Sequence, residues 1–270
     1  MSFSDILKTI LFGVVEGYTE FLPISSTGHL ILVEELVHLS QPEDFFNVFK
    51  VVIQLGAIMS VVILYWDRLW PFGKENCREI IELWLKIAVA CIPAVILGLP
   101  LNDIIDEKLS TPLVIAIALI VYGIAFLVLE KKHKDKEYPI KTVNDISWKT
   151  AFFIGILQCL ALIPGTSRSG ACIFSAMLLG VSRAAAAEFS FSLGIPMMFG
   201  ATFLKIIKNG ISYTGEQWAI LILGTVVSFI VAFISIRSLM NYIRKHDFTV
   251  FGWYRIVLGA VILIYFVIAG

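Results

Sequence analysis

Two polar stretches interrupt an apolar chain, and both carry residue types suited to handling phosphate. The first runs Glu16-Gly17-Tyr18-Thr19-Glu20-Phe21-Leu22-Pro23-Ile24-Ser25-Ser26-Thr27-Gly28-His29. The second runs Pro164-Gly165-Thr166-Ser167-Arg168-Ser169-Gly170. Glu16 and Glu20 are four apart, so on a helix they share a face. Two carboxylates that close in apolar surroundings repel unless a cation intervenes. A divalent metal, Mg²⁺ or Ca²⁺, held by Glu16 and Glu20 is the simplest such cation; a proton acceptor with its partner is the other reading. Ser25, Ser26 and Thr27 are residue types that cap a helix, and free N–H groups at a helix start also attract phosphate. If the helix begins near Ser25, Ser26 and His29 fall on one face as a nucleophile and base, with Glu20 the alternative base and direct activation of water by His29 or Glu20 the alternative to a phosphoserine. In the second stretch Gly165 and Gly170 permit tight turns whose N–H groups form an anion-binding nest. Arg168 adds a fork of donors matched to phosphate oxygens. The two stretches read as halves of one pocket that binds and cleaves a phosphate anhydride. Each residue also has a plainer reading: a cap for the hydroxyls, a polar anchor for His29, a structural ion pair for Arg168.

The elements that must position these groups follow from hydropathy. The 270 residues are 58% hydrophobic and 16% charged, with mean hydropathy +0.87, which places the chain among polytopic membrane proteins. Buried charges in such a chain mark a functional site. Apolar runs near 46–65, 80–100, 112–130, 186–206, 217–236 and 252–269 are each close to the ~20 residues a bilayer core requires. Residues 3–38 and 151–182 each hold two shorter apolar pieces around a polar Gly/Pro centre, the pattern of a re-entrant hairpin. The expected fold is therefore all-α, with six transmembrane helices plus two re-entrant helical hairpins.

Lysine and arginine set the orientation. Loop 131–149 carries Lys131, Lys132, Lys134, Lys136, Lys141 and Lys149, loop 67–79 carries Arg68, Lys74 and Arg78, and loop 237–255 carries Arg237, Arg244, Lys245 and Arg255. Loop 101–111 is acidic, with Asp103, Asp106 and Glu107. With the first three loops cytoplasmic and the last outside, the spans alternate, both termini lie outside, and the hairpins open from opposite sides. Hairpin plus three spans then occurs twice, about 1–130 and about 150–270. Gly13 and Glu16 match Gly155 and Gln158, Gln54-Leu55-Gly56 matches Ser192-Leu193-Gly194, and the two polar stretches resemble one another. An odd number of spans per copy makes this an inverted-topology repeat, whose broken helices meet near the midplane. A site shared by both copies makes the chain a single membrane domain, 1–270. Arg183 and Glu188 flank the fourth span and read as an interface pair.

Several classes are excluded. Net charge is zero, which argues against nucleic acid. Cys77, Cys91, Cys159 and Cys172 form no CxxC pair, and the four histidines lack zinc spacing. Glu16 and Glu20 interrupt the first apolar run, so no cleavable signal peptide is expected. The small-residue run Ala184 to Ala187 is compatible with a homodimer.

At the two polar stretches the sequence resembles the undecaprenyl-diphosphate phosphatases of the bacitracin-resistance type. The family motif EGxTEFLP[IV]SSTGH matches residues 16–29, and PGxSRSG matches 164–170. The resemblance implies a bacterial plasma (inner) membrane phosphatase with its site open to the extracytoplasmic side. It would remove the terminal phosphate of an isoprenoid diphosphate, recycle the lipid carrier for cell-wall synthesis and confer bacitracin resistance. It also implies a divalent cation, essential residues Glu16, Glu20, Ser26, His29 and Arg168, and pocket-lining hydroxyls from Ser25, Thr27, Thr166, Ser167 and Ser169. Lipid phosphatases of the acid-phosphatase type need a further His followed by Asp, which no residue near Arg168 supplies. The alternative is a transporter or flippase of the isoprenoid phosphate, since opposed hairpins meeting at the midplane are also a transporter architecture.

Overall fold

The computed structural model describes residues 1–134, 137–210 and 212–269, without the side chains of Asn102, Asp103, Asp106, Glu107, Asn209, Val267 and Ala269. Lys136 and the side chains of Asp103, Asp106 and Glu107, used above for orientation, therefore lie outside the described residues. Eleven α-helices occur among the described residues: α1 (Phe3–Thr19), α2 (Ser26–Leu36), α3 (Glu43–Leu64), α4 (Trp66–Leu69), α5 (Cys77–Lys108), α6 (Pro112–His133), α7 (Trp148–Gln158), α8 (Arg168–Leu178), α9 (Arg183–Asn209), α10 (Gly215–Ile243) and α11 (Thr249–Ala269). One 3₁₀ turn, Cys159–Leu162, extends α7.

Local chemistry sets many of the boundaries. Ser2, Thr111, Ser147, Ser182 and Thr214 each cap a helix by accepting an N–H bond from the residue three positions on. Thr214 and Gln217 complete a reciprocal capping box. Pro112 occupies the first turn of α6, where its missing N–H costs nothing.

Helices α3, α5, α6, α9, α10 and α11 are long and apolar enough to cross a membrane. Only 28–44% of each most apolar window is buried inside the protein, so much of the apolar surface faces outward, as lipid contact requires. The pairs α1–α2 and α7–α8 are different. None of the four reaches ~20 residues, and each pair meets at an irregular segment carrying one of the polar stretches.

Packing sets each short pair against the long helices. Helix α1 lies against α10, α7 against α5, α3 against both α9 and α10, and α6 against α11. The largest apolar core runs from Phe21 and Ile24 through Phe126, Cys172 and Phe191 to Phe248, directly around the irregular segments.

Three expectations are corrected. Arg255 is no loop cation: it lies inside α11 and is fully buried. Arg183 and Glu188 do not pair with each other. Arg183 binds Glu130 of α6, with Nε to Oε1 at 2.9 Å, and Glu188 binds Arg68. Both pairs join chain segments distant in sequence, which spacing alone does not reveal. The acidic segment 101–111 is mostly helical, because α5 continues to Lys108 through Pro93 and Pro100.

Gly56 sits at the α3–α10 contact, where an added Cβ would lie 2.2 Å from the Thr225 carbonyl oxygen. Backbone cannot move aside as a side-chain tip can. Gly56→Ala is expected to destabilise by about 1–3 kcal/mol through overpacking, seen as a lower unfolding midpoint in detergent.

Candidate active site

The two polar stretches are built alike. Each runs out of a helix, turns through irregular backbone and starts a new short helix whose first turn faces a cavity. The residue before that helix is a serine with positive φ in both cases: Ser25 at 73° and Ser167 at 71°. Non-glycine residues avoid this region, and holding one there costs about 1–3 kcal/mol. Each serine hydroxyl accepts an N–H bond from a glycine three residues on, Gly28 for Ser25 (3.3 Å) and Gly170 for Ser167 (3.1 Å). The strained capped turn points the start of α2, at Ser26, and the start of α8, at Arg168, into shared space. Both helices lend the partial positive charge of their N-terminal N–H groups to that space.

The cavity is about 230 Å³ and its lining includes Glu20, Ser26, Thr27, Gly165, Ser167 and Arg168. Ser26 Oγ donates to Glu20 Oε2 at 2.7 Å. Arg168 Nη2 donates to the other oxygen, Oε1, at 3.1 Å, and its Nη1 donates to the Ser190 carbonyl at 2.9 Å. Acid, alcohol and guanidinium thus form one connected chain across the two halves. Glu20 is 7% exposed and Ser26 9%, enough burial for the Glu20–Arg168 ion pair to act in a medium far less screening than water. The carboxylate, not the imidazole, is the base within reach of the Ser26 proton.

His29 takes a different place from the one its spacing suggests. Its Nδ1 lies 2.7 Å from the Ser25 carbonyl and its Nε2 2.7 Å from the Tyr254 hydroxyl. A carbonyl only accepts, so Nδ1 carries the proton, and a neutral ring accepts the tyrosine O–H at Nε2. His29 does not line the cavity that holds Ser26. It tethers the strained Ser25 instead. Ser169 is fully buried and donates to the carbonyls of Glu20 (2.9 Å) and Leu22 (3.2 Å), so its hydroxyl sews the second loop to the first. Thr166 is buried and its hydroxyl has no partner.

Glu16 lies one turn before Glu20, fully buried, and among the described residues neither of its carboxylate oxygens has a hydrogen-bond partner. A buried orphaned carboxylate calls for a cation or a proton. Among the described residues no three His, Cys, Asp or Glu side chains gather as a metal cage. Two carboxylates nonetheless suit a hard cation that takes its other ligands from phosphate oxygens, so the donor set fits a divalent ion.

Two site residues escaped the sequence reading, and they are neighbours on α11. Tyr254 fixes the His29 ring. Arg255 reaches both loops, donating from Nη1 to the Pro23 carbonyl (3.0 Å) and from Nη2 to the carbonyls of Gly165 (3.0 Å) and Thr166 (2.8 Å). Only the charge of Arg255 inside an apolar run gave any signal, and its position near the span end disguised it.

Fold and site together define a class: a polytopic helical membrane protein with an acid–alcohol–guanidinium cluster set between two helix N-termini. Comparison with known proteins is more specific. The family model described as bacitracin resistance protein BacA matches residues 9–261, and the chain belongs to that family. It is similar to an undecaprenyl-diphosphatase of Enterococcus faecalis, 50% identical over 98% of each chain. A protein of the same name from Lachnoclostridium phytofermentans is 50% identical over the full length of both. Another, from Limosilactobacillus fermentum, is 52% identical over 97% of this chain and 98% of its own.

Gly194 of α9 backs the Arg168 guanidinium, and a Cβ there would lie 2.7 Å from Nη1 and 2.9 Å from Cζ. The obstruction is a side-chain tip and not backbone, so the guanidinium is expected to shift off Glu20 and Ser190 while the fold holds. Gly194→Ala is expected to leave the unfolding midpoint nearly unchanged while lowering turnover by about 10²-fold, the scale of a misplaced catalytic group.

Proposed function

We propose that this chain hydrolyses undecaprenyl diphosphate to undecaprenyl phosphate and inorganic phosphate. The reaction recycles the lipid carrier for cell-wall synthesis and so confers resistance to bacitracin. The observation that carries the reading is the unbroken contact Ser26–Glu20–Arg168 at the mouths of two helices, in a chain whose full-length relatives bear that enzyme's name.

The chemistry follows from the contacts. Arg168 exchanges part of its hold on Glu20 for the terminal phosphate, whose charge the two helix N-termini also favour. That frees Glu20 to take the Ser26 proton along the existing hydrogen bond. The Ser26 Oγ–phosphorus bond forms as the anhydride P–O bond breaks, and undecaprenyl phosphate leaves. Glu20 passes the Ser26 proton to the departing undecaprenyl phosphate, then takes a proton from the water that cleaves the phosphoserine and hands it to the serine oxygen as inorganic phosphate leaves. Thr27, Ser167 and the backbone at Gly165 line the phosphate's side of the cavity. A divalent cation on Glu16 and Glu20 would neutralise charge on the phosphate oxygens. His29 and Tyr254 hold the Ser25 turn, which aims Ser26.

The finer architecture belongs to the same proposal. The pairs α1–α2 and α7–α8 are re-entrant hairpins, and the halves are an inverted repeat of one folding unit. In support, the packing partners exchange between halves, α1 with α10 and α7 with α5, and the Ser25 and Ser167 turns repeat each other in torsion and cap. The protein sits in the bacterial inner membrane with the site open to the extracytoplasmic side. Ala185, Ala186 and Ala187 are buried within the chain, so a homodimer would use surfaces other than the alanine run of α9.

Phosphate release from an isoprenoid diphosphate by the purified protein is the test. Ser26→Ala and Arg168→Ala are each expected to lose about 10²–10⁴-fold in rate while staying folded. Near-normal turnover by Ser26→Ala would remove the covalent step. A chelator is expected to abolish release and added Mg²⁺ or Ca²⁺ to restore it; indifference to chelator would remove the cation.

A further inference from the structure

We infer that Arg255 is a positioning residue: it clamps the two active-site loops to each other at equivalent points, setting the distance between Ser26 and Arg168. The inference rests on the phosphatase reading for its kinetic consequence, though not for its structural one.

Arg255 is completely buried, and no carboxylate pairs with it among the described residues. A Tyr122 ring lies 5.6 Å from its guanidinium carbon. Burying an unpaired cation is costly, several kcal/mol even after relaxation, so a mere space-filler would be replaced by an apolar side chain. What the guanidinium obtains is three backbone carbonyls, and their identity is the informative part. Pro23 precedes the strained Ser25 by two residues, and Gly165 precedes the strained Ser167 by two. One side chain therefore grips the same point of both turns, one with each terminal nitrogen. Only a planar fork with two separate amino groups does this. An ammonium offers its donors from a single point.

The neighbourhood is cut to admit it. An added Cβ on Gly170 would lie 3.0 Å from Arg255 Nη1, which gives the last glycine of the second motif a reason beyond its turn. The gripped carbonyls belong to irregular backbone with no helical N–H donating to them, and such groups need a donor wherever water is excluded. The clamp and the Ser169 bonds to Glu20 and Leu22 are complementary. Ser169 ties loop to loop directly, and Arg255 ties both to α11. Because the nucleophile sits on one loop and the phosphate-binding guanidinium on the other, the spacing of the loops is the spacing of the reaction, and an error of about 1 Å there costs about 10²-fold in rate.

The test uses the full chain purified in detergent, with Arg255→Lys, Arg255→Gln and Arg255→Met measured beside the unaltered protein and Ser26→Ala. Two readouts are taken. The first is amide hydrogen exchange over residues 20–26 and 164–169. Loss of the clamp is expected to speed exchange in both segments together in Arg255→Gln, while Ser26→Ala leaves the second segment as it was. Faster exchange confined to α11, or in one loop alone, overturns the inference whether or not the protein is a phosphatase. The second is the rate of phosphate release per folded molecule from a short isoprenoid diphosphate. Arg255→Gln and Arg255→Met are expected to lose about 10²-fold in kcat with KM changed less than about threefold, and Arg255→Lys to recover part of the rate. If the neutral variants fail to fold, Arg255→Lys decides. Wild-type kcat and wild-type exchange in a folded lysine variant overturn the clamp, and a loss in kcat with both loops loosened supports it. No phosphate release from the unaltered protein would remove the phosphatase reading and leave the exchange result standing.

Discussion

Glu20 and Arg168 come from sites 148 residues apart and meet through a single hydrogen bond. A buried ion pair is a poor source of stability, since desolvating both charges consumes most of what their attraction returns. Well-packed apolar side chains would hold the halves together at least as well. In the proposed reaction the pair is a stored arrangement: a cation to grip phosphate and a carboxylate to take a proton, held against each other until an anion arrives. Everything around them serves that meeting. Two chain segments must leave helical geometry in a protein whose long helices face lipid, and their loose carbonyls must be satisfied from within.

That demand explains which side chains are buried. Ser169 feeds the Glu20 and Leu22 carbonyls, His29 feeds Ser25, and Arg255 feeds Pro23, Gly165 and Thr166. None of these bonds touches the cavity's reacting corner, yet each fixes a backbone atom within a few residues of one that does. Glu16 is the exception, a carboxylate with nothing to accept from among the described residues. Its isolation calls for a proton or a cation.

The sequence made the long helices and the two polar stretches legible because both signals are local. Twenty apolar residues identify a span without reference to the rest of the chain, and Gly, Ser and Arg at lipid depth are conspicuous against Leu and Ile. The pairing of Ser26 was legible only as a choice between His29 and Glu20. Helical spacing favoured His29, three residues on, whereas the observed partner Glu20 lies across a turn whose backbone torsions no residue pattern announces. Arg183 and Glu188 failed in the same way: nearness in sequence suggested a pair, and distant Glu130 and Arg68 took them instead. Arg255 was misplaced for a subtler reason. Positive charges near span ends usually stay in water at the cytoplasmic side, and only three-dimensional proximity to two loops reveals that this one is drawn inward.

The positive φ of Ser25 and Ser167 sets thermal endurance against turnover. Glycine at either position would relieve about 1–3 kcal/mol of torsional strain, while the lost hydroxyl cap would return only a few tenths. Selection for heat resistance alone would therefore drift toward glycine at both turns and slacken the aim of Ser26 and Arg168 together. The two serines thus carry their strain at the turns that aim Ser26 and Arg168.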